Sequence, residues 1–150
     1  IYHASATMVC ALLVVLINLA ADLWKHFQVP ICSQTNNGLN ALMPLIRSTL
    51  NNLEANGPVN ALTGPFARGD IGTISQHIDK LRRETPGLLE IYGRLGIVGL
   101  PLAKAKGNLT REQIESMEHL LTSGINLPGI VTNEVRDLLE KANKEGELCG

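Results

Sequence analysis

The chain has 150 residues, of which 45% are hydrophobic and 3% aromatic, and its formal net charge at pH 7 is −1. A near-neutral chain with no basic stripe is not expected to bind nucleic acid, because surfaces that follow a phosphate backbone concentrate Lys and Arg. The cysteines Cys10, Cys32 and Cys149 have neither zinc-motif nor disulfide-framework spacing, which favours a reducing compartment. We therefore expect a cytoplasmic protein with an aliphatic core and no metal site.

The chain begins with a long apolar stretch, since residues 4–21 include no charged side chain. This length lies near the lower limit of about 18 residues for a membrane span, and neither a basic n-region nor a cleavage site accompanies it. A helix that is apolar on every face is typical of a buried position. We predict a first helix over residues 2–27, buried at the centre of a helical array, with Cys10 as an inert core thiol. A small helical membrane protein stays open as an alternative, although we expect no membrane partner.

The rest of the chain reads as further helices separated by Gly and Pro. Gly57-Pro58 should end the second helix, and Pro44 should kink it or mark its start. Asp70 is a good N-cap, and Thr110 with Gln113 forms a capping box. No strand pattern stands out, so we predict an all-α fold of about six helices. The later helices are expected over residues 39–55, 71–83, 86–106, from 110 onwards, and 133–144.

The turn over residues 62–70 and the first residues of the chain hold the candidate site. Thr63, Arg68 and Asp70 place a hydroxyl, a guanidinium and a carboxylate within eight residues. We predict that they bind substrate, with Arg68 as a bidentate hydrogen-bond donor to an anion. Asp70 is nevertheless expected first to cap a helix and to pair with Arg68. His3 is a candidate proton donor because imidazole titrates near neutral pH; its alternative role is a hydrogen bond at a helix start. His77 is expected at a surface or interface.

Several motifs resemble one known helical domain. They are Tyr2-His3-Ala4, Leu42-Met43-Pro44-Leu45-Ile46, Ala61-Leu62-Thr63-Gly64-Pro65 with Ala67-Arg68-Gly69-Asp70, His77, and Leu89-Glu90-Ile91-Tyr92. The resemblance covers residues 1–121. It is to the C-terminal domain of a family of proposed NAD(P)-dependent oxidoreductases, and that domain is related to the C-terminal domains of pyrroline-carboxylate reductase and 6-phosphogluconate dehydrogenase. It implies the 6-phosphogluconate dehydrogenase C-terminal type of fold, a homodimer, and a preceding Rossmann domain that binds NAD or NADP.

The resemblance also sets the expected division of labour. No Gly-x-Gly-x-x-Gly follows a strand here, so residues 1–150 should be a single C-terminal domain that binds no cofactor and is not catalytic alone. It would close the substrate cleft and dimerise, while the absent Rossmann domain brings the nicotinamide to a small carbonyl or imine compound. Cys10-Ala11 stands where the family commonly has Asn on the first helix. That departure favours the alternative of a non-catalytic oligomerisation or regulatory module.

Overall fold

A computed structural model describes residues 1–26 and 37–123, and both ranges are helical with no strand. The predicted all-α class is therefore confirmed for the part of the chain that the structure covers. The predicted loop between the first two helices, the loop after residue 123 and the helix over residues 133–144 lie outside the described residues. The chain divides into two compact units, Ile1–Ala55 and Asn56–Gly150, which are described separately below.

The first unit begins with a single long helix, α1, over Tyr2–His26. It contains a π-helical turn at Met8–Leu12 and closes with a 3-10 turn at Leu23–His26. None of its residues is buried, and the thiol of Cys10 is exposed. The expected burial of the first helix and of Cys10 is therefore not found. The reason is that the rest of the described unit supplies too little surface to cover a helix that is apolar on every face.

The second helix, α2, spans Asn37–Ala61 and begins against the end of α1. A Cβ atom added to Gly38 would collide with the backbone oxygen of Ala21, so glycine permits this close approach. Pro44 lies inside the helix rather than at its start. Helical geometry breaks instead at Gly57, where φ is 69° and ψ is 171°, just before Pro58. The predicted interruption at Gly57-Pro58 is thus found as a kink, beyond which helical residues continue to Ala61 in the second unit.

Four helices follow in the second unit: α3 over Gly64–Arg68, α4 over Ile71–Glu84, α5 over Pro86–Ala105 and α6 over Arg111–Thr122. Their ends follow local chemistry. Pro86 opens α5, and Gly107, with φ of 78°, follows its end. Thr110 and Gln113 form the predicted capping box of α6. The five residues of α3 were expected to be a turn and are a short helix instead.

The core of the second unit lies where α4, α5 and α6 meet. Gly96 on α5 allows the closest packing, since a Cβ there would come within 2.8 Å of a Leu121 methyl and 3.1 Å of the Phe66 ring. Gly99, also expected on a thin helix face, has open space around it. The core is aliphatic apart from one methionine, as the composition predicts. Its buried members are Ile74, Ile78, Leu89, Ile97, Leu100, Met117 and Leu121.

Candidate functional site

The turn over residues 62–70 folds around α3 and has a glycine at each end of that helix. Gly64 has φ of 76° and Gly69 has φ of 63°, a region that favours glycine because it has no Cβ. Thr63 precedes α3 in extended conformation, is exposed, and makes no side-chain capping bond. Arg68 lies in the last turn of α3 with 66% of its side chain exposed. The turn therefore presents a guanidinium to solvent from a stiff backbone.

Two side chains from later helices hold this turn in place. The ammonium of Lys106 donates to the backbone oxygens of Asn60, at 2.9 Å, and Leu62, at 2.7 Å. The amide of Gln113 donates to the Gly69 oxygen at 3.4 Å. A Cβ on Gly69 would come within 2.6 Å of the same amide nitrogen, so the turn packs directly on α6. The conformation of the candidate site thus depends on residues well beyond it in sequence.

Asp70 caps α4, as the sequence predicts. Its carboxylate accepts the Thr73 N–H at 3.0 Å and the Thr73 hydroxyl at 2.7 Å. These two bonds lower the pKa of Asp70, and the charges of Arg68 and His77 lower it further. Arg68 lies 4.0 Å from the Asp70 carboxylate, the outer limit of an ion pair. Both Asp70 oxygens are therefore engaged by the helix start, while the Arg68 guanidinium keeps its donors accessible.

A histidine–tyrosine pair lies beside this cap and was not predicted as a pair. Nδ1 of His77 on α4 lies 3.0 Å from the hydroxyl oxygen of Tyr92 on α5, and the two rings meet edge to face at 5.9 Å. Tyr92 also packs against the ring of Phe66 on α3, with centroids 5.9 Å apart. Burial raises the pKa of Tyr92 to about 12, so its hydroxyl stays protonated at neutral pH.

The structure brings some of the predicted site residues together. Arg68, Asp70 and His77 interact electrostatically in the second unit, and Tyr92 adjoins His77. His3 belongs to the first unit, where it is exposed at the start of α1, and its backbone oxygen accepts the Thr7 hydroxyl. The roles assigned to His3, Thr63, Arg68 and Asp70 stay predictions. The helical spacing of His77 from Asp70 was visible in the sequence, but it did not indicate that Tyr92 would contact His77.

An open groove of about 470 Å³ lies between α4 and α6, beyond the Asp70 cap. Ile71, Gly72 and Leu120 give it an apolar floor, and Ser75 and Glu112 add polar groups. Across residues 1–26 and 37–123, no three His, Cys, Asp or Glu side chains are grouped as metal ligands would be. Polar side chains of the second unit therefore occur at this groove as well as at the pair and the turn.

The described residues form all-α units, and Arg68, His77 and Tyr92 place the candidate site on three helices of the second unit. Residues 1–97 match the family described as a domain of unknown function, DUF2520, and the chain belongs to that family. Comparison with curated proteins and with solved structures finds no match. The matched region includes Thr63, Arg68, Asp70, His77 and Tyr92, and it ends before the two residues that hold the turn.

Among the described helices, α1 is the one with the length and apolar composition to cross a membrane. None of the residues in its most apolar stretch is buried. Length and composition alone are weak evidence for a span, since helices covered by protein have the same properties. What the described residues show is that α1 presents an exposed apolar surface.

Proposed function

We propose that this chain is the substrate-facing helical domain of an NAD(P)-dependent oxidoreductase that acts on a small carbonyl or imine compound. The observation that carries the proposal is the cluster of Arg68, Asp70, His77 and Tyr92 inside the family-matched region, in which Arg68 and His77 are exposed and the other two residues are half-buried. Such a cluster combines a guanidinium that can bind an anion with a neutral hydroxyl that can donate a hydrogen bond. The nicotinamide would be bound by a preceding Rossmann domain, as the resemblance of the sequence motifs implies.

The division of labour follows from what each part can supply. Reduction of a carbonyl needs a hydride, which the cofactor brings, and a proton and an oriented substrate, which protein side chains bring. Arg68 is suited to orientation because it lies in the last turn of the short helix α3, with its planar guanidinium exposed to solvent. Thr63, exposed at the start of the same turn, is the second candidate for substrate contact, and His3 remains a candidate proton donor from the first unit.

The test uses the full protein that joins this chain to its Rossmann domain. NADH and NADPH oxidation is followed at pH 7 with glyoxylate, pyruvate, propanal and 1-pyrroline, which cover oxo acids, aldehydes and imines. Turnover of at least one compound is expected. Arg68→Ala and Arg68→Lys should both lower kcat/KM about tenfold or more, because Lys lacks the planar fork. Arg83→Ala, an exposed arginine on α4, is the matched control.

Two results would contradict this proposal. Absence of turnover with every compound and both cofactors would favour the alternative, a non-catalytic oligomerisation or regulatory module, which the Cys10-Ala11 departure supports. Saturable micromolar binding of NADPH to the isolated chain, measured by calorimetry, would contradict the assignment of the cofactor to another domain. Equal activity of wild type and Arg68→Ala would leave Arg68 as a structural partner of Asp70.

We further propose that α1 is covered by a second copy of the chain in a homodimer. The supporting observation is its run of exposed large apolar side chains, which includes Met8, Val9, Leu12, Val14, Val15 and Leu16. A stable interface needs about 800 Å² from each partner, and a two-sided apolar helix of this length can supply that area. Spontaneous partition of the detergent-free chain into lipid vesicles would instead favour the membrane alternative.

A further inference from the structure

The His77–Tyr92 pair stands where three helices converge. Phe66 of α3 packs on the Tyr92 ring, His77 of α4 meets its edge, and Tyr92 itself is carried by α5. Tyr92 is half-buried, and its hydroxyl lies at the edge of the packed region, hydrogen-bonded to the exposed His77 ring. The phenol is therefore held in one orientation with its reactive end accessible, which is the arrangement that proton transfer requires.

The requirements of folding do not account for this pair. A hydrogen bond between groups at the surface adds little to stability, because water competes for both partners. Packing of Tyr92 on Phe66 would be kept by a phenylalanine at position 92. The hydroxyl and the imidazole are thus in excess of what the helix packing needs, and they lie beside Arg68 and Asp70, which belong to the proposed site.

We propose that Tyr92 donates a proton to the carbonyl oxygen or imine nitrogen of the substrate, and that His77 returns a proton to the Tyr92 oxygen. This inference rests on the proposed function, which supplies NAD(P)H as the hydride donor. It places the proton donor of the reaction in the second unit, on Tyr92 with His77, rather than on His3. His77 acts through Tyr92, so it is a positioning residue in this scheme.

The step balances as follows. A hydride, with two electrons, leaves the nicotinamide ring and bonds to the substrate carbon while the carbon–oxygen double bond becomes single. The Tyr92 O–H bond breaks, and its proton forms the new hydroxyl, or the new N–H with an imine. The phenolate then takes a proton from Nδ1–H of His77 while Nε2 of the exposed ring takes one from water, so that the imidazole ends with the charge it began with. The oxidised cofactor and the reduced substrate leave the site.

The groups around the pair are a carboxylate, a guanidinium and an apolar ring. The Asp70 carboxylate lies close enough to His77 for the two groups to interact electrostatically. Arg68 lies 4.0 Å from the same carboxylate, and the Phe66 ring adds no charge. Without His77, the phenolate would form beside the Phe66 ring and would lack the hydrogen bond that Nδ1 provides, while burial already disfavours that form of Tyr92.

The test measures kcat and KM in the full protein with whichever compound of the panel above is turned over. Tyr92→Phe keeps the ring and should lower kcat about 100-fold or more with little change in KM. Tyr2→Phe, which alters the other tyrosine of the chain, is the matched control. His77→Ala should lower kcat, and added imidazole should restore part of it. His119→Ala, on the exposed side of α6, should show neither effect.

The outcomes separate this inference from the proposed function. Turnover by wild type together with full kcat in Tyr92→Phe overturns the inference and leaves the proposed function intact. The same holds if imidazole fails to restore activity to a folded His77→Ala variant. Absence of turnover by wild type overturns both. Thermal melting of each variant by circular dichroism shows whether a lost rate reflects lost folding, and Tyr92→Phe is expected to melt close to wild type.

Discussion

Gly96→Ala should destabilise the second unit, whereas Gly99→Ala on the same helix should stabilise it. A methyl at position 96 meets the Leu121 side chain at 2.8 Å and the Phe66 ring at 3.1 Å, and a methyl at position 99 meets nothing within 4 Å. Leu121 is 1% exposed, so its methyl groups can shift only within the packed core. The two variants make the same chemical change one turn apart, and they differ only in what the new methyl contacts.

The expected magnitude follows from two opposing terms. Replacing a mid-helix glycine by alanine stabilises by about 0.5–1 kcal/mol at either position, because alanine loses less backbone entropy. Overpacking of a filled core costs about 1–3 kcal/mol and applies at position 96 alone. The entropy term cancels in a comparison of the two variants. Gly99→Ala should therefore be more stable than Gly96→Ala by about 1–3 kcal/mol.

Urea unfolding followed by circular dichroism measures this difference at pH 7. The slope of the transition should be the same in both variants, so that midpoints can be compared directly. If Gly96→Ala were as stable as Gly99→Ala, the close contact of α5 with Leu121 would be refuted. The contact between the Phe66 and Tyr92 rings provides a second comparison. It should be disturbed in Gly96→Ala and unchanged in Gly99→Ala.

Three further predictions concern the cap, the phenol and α1. Asp70→Ala should lower the melting midpoint by about 2–8 °C at pH 7, and Asp70→Asn should lower it by less. Because the pKa of Asp70 is lowered in the folded state, the stability that the carboxylate contributes should be lost as the pH falls from about 4 through that pKa. Equal midpoints of wild type and Asp70→Ala at pH 7 would contradict the role of Asp70 as a cap. The Tyr92 pKa is raised from 10.0 to about 12, so the stability that the protonated phenol contributes is complete below pH 10 and is lost as the pH rises to 12. Between pH 10 and pH 12 the wild type should lose about 1–2 kcal/mol of unfolding free energy in urea, after allowance for solvent screening, and Tyr92→Phe should not show this loss. The same pH dependence in both proteins would refute the prediction. The chain should sediment as a dimer at about 20 µM and Leu12→Lys as a monomer, whereas a monomeric wild type would contradict the proposed role of α1.

The helix boundaries of the second unit could be predicted because they depend on chemistry a few residues apart. The Asp70 side chain satisfies the N–H of Thr73, and Thr110 and Gln113 satisfy each other's backbone groups. Such bonds form from neighbouring residues whatever the rest of the fold does. The five-residue α3 was missed for the opposite reason. It is too short for a hydrophobic period, and its flanking glycines resemble those of a turn.

The exposure of α1 could not be predicted from its composition. An apolar helix indicates that something covers it, but hydropathy does not distinguish neighbouring helices of the same chain from a second copy or from lipid. The sequence also favours burial of Cys10, because the residues around it are apolar. In the structure, Cys10 and the helix that carries it are both exposed. Composition predicted the apolar character of this surface correctly but did not indicate that the structure would expose it.

The His77–Tyr92 pair shows why a site of this kind escapes sequence reasoning. Fifteen residues separate the two side chains, and the chain between them leaves α4 at Glu84 and enters α5 at Pro86. Whether they meet depends on the angle between two helices, which the core sets. Gly96 brings α5 close to Phe66, and Phe66 packs on Tyr92. The site is therefore a product of tertiary packing, and a methyl added at Gly96 should reach it through Phe66.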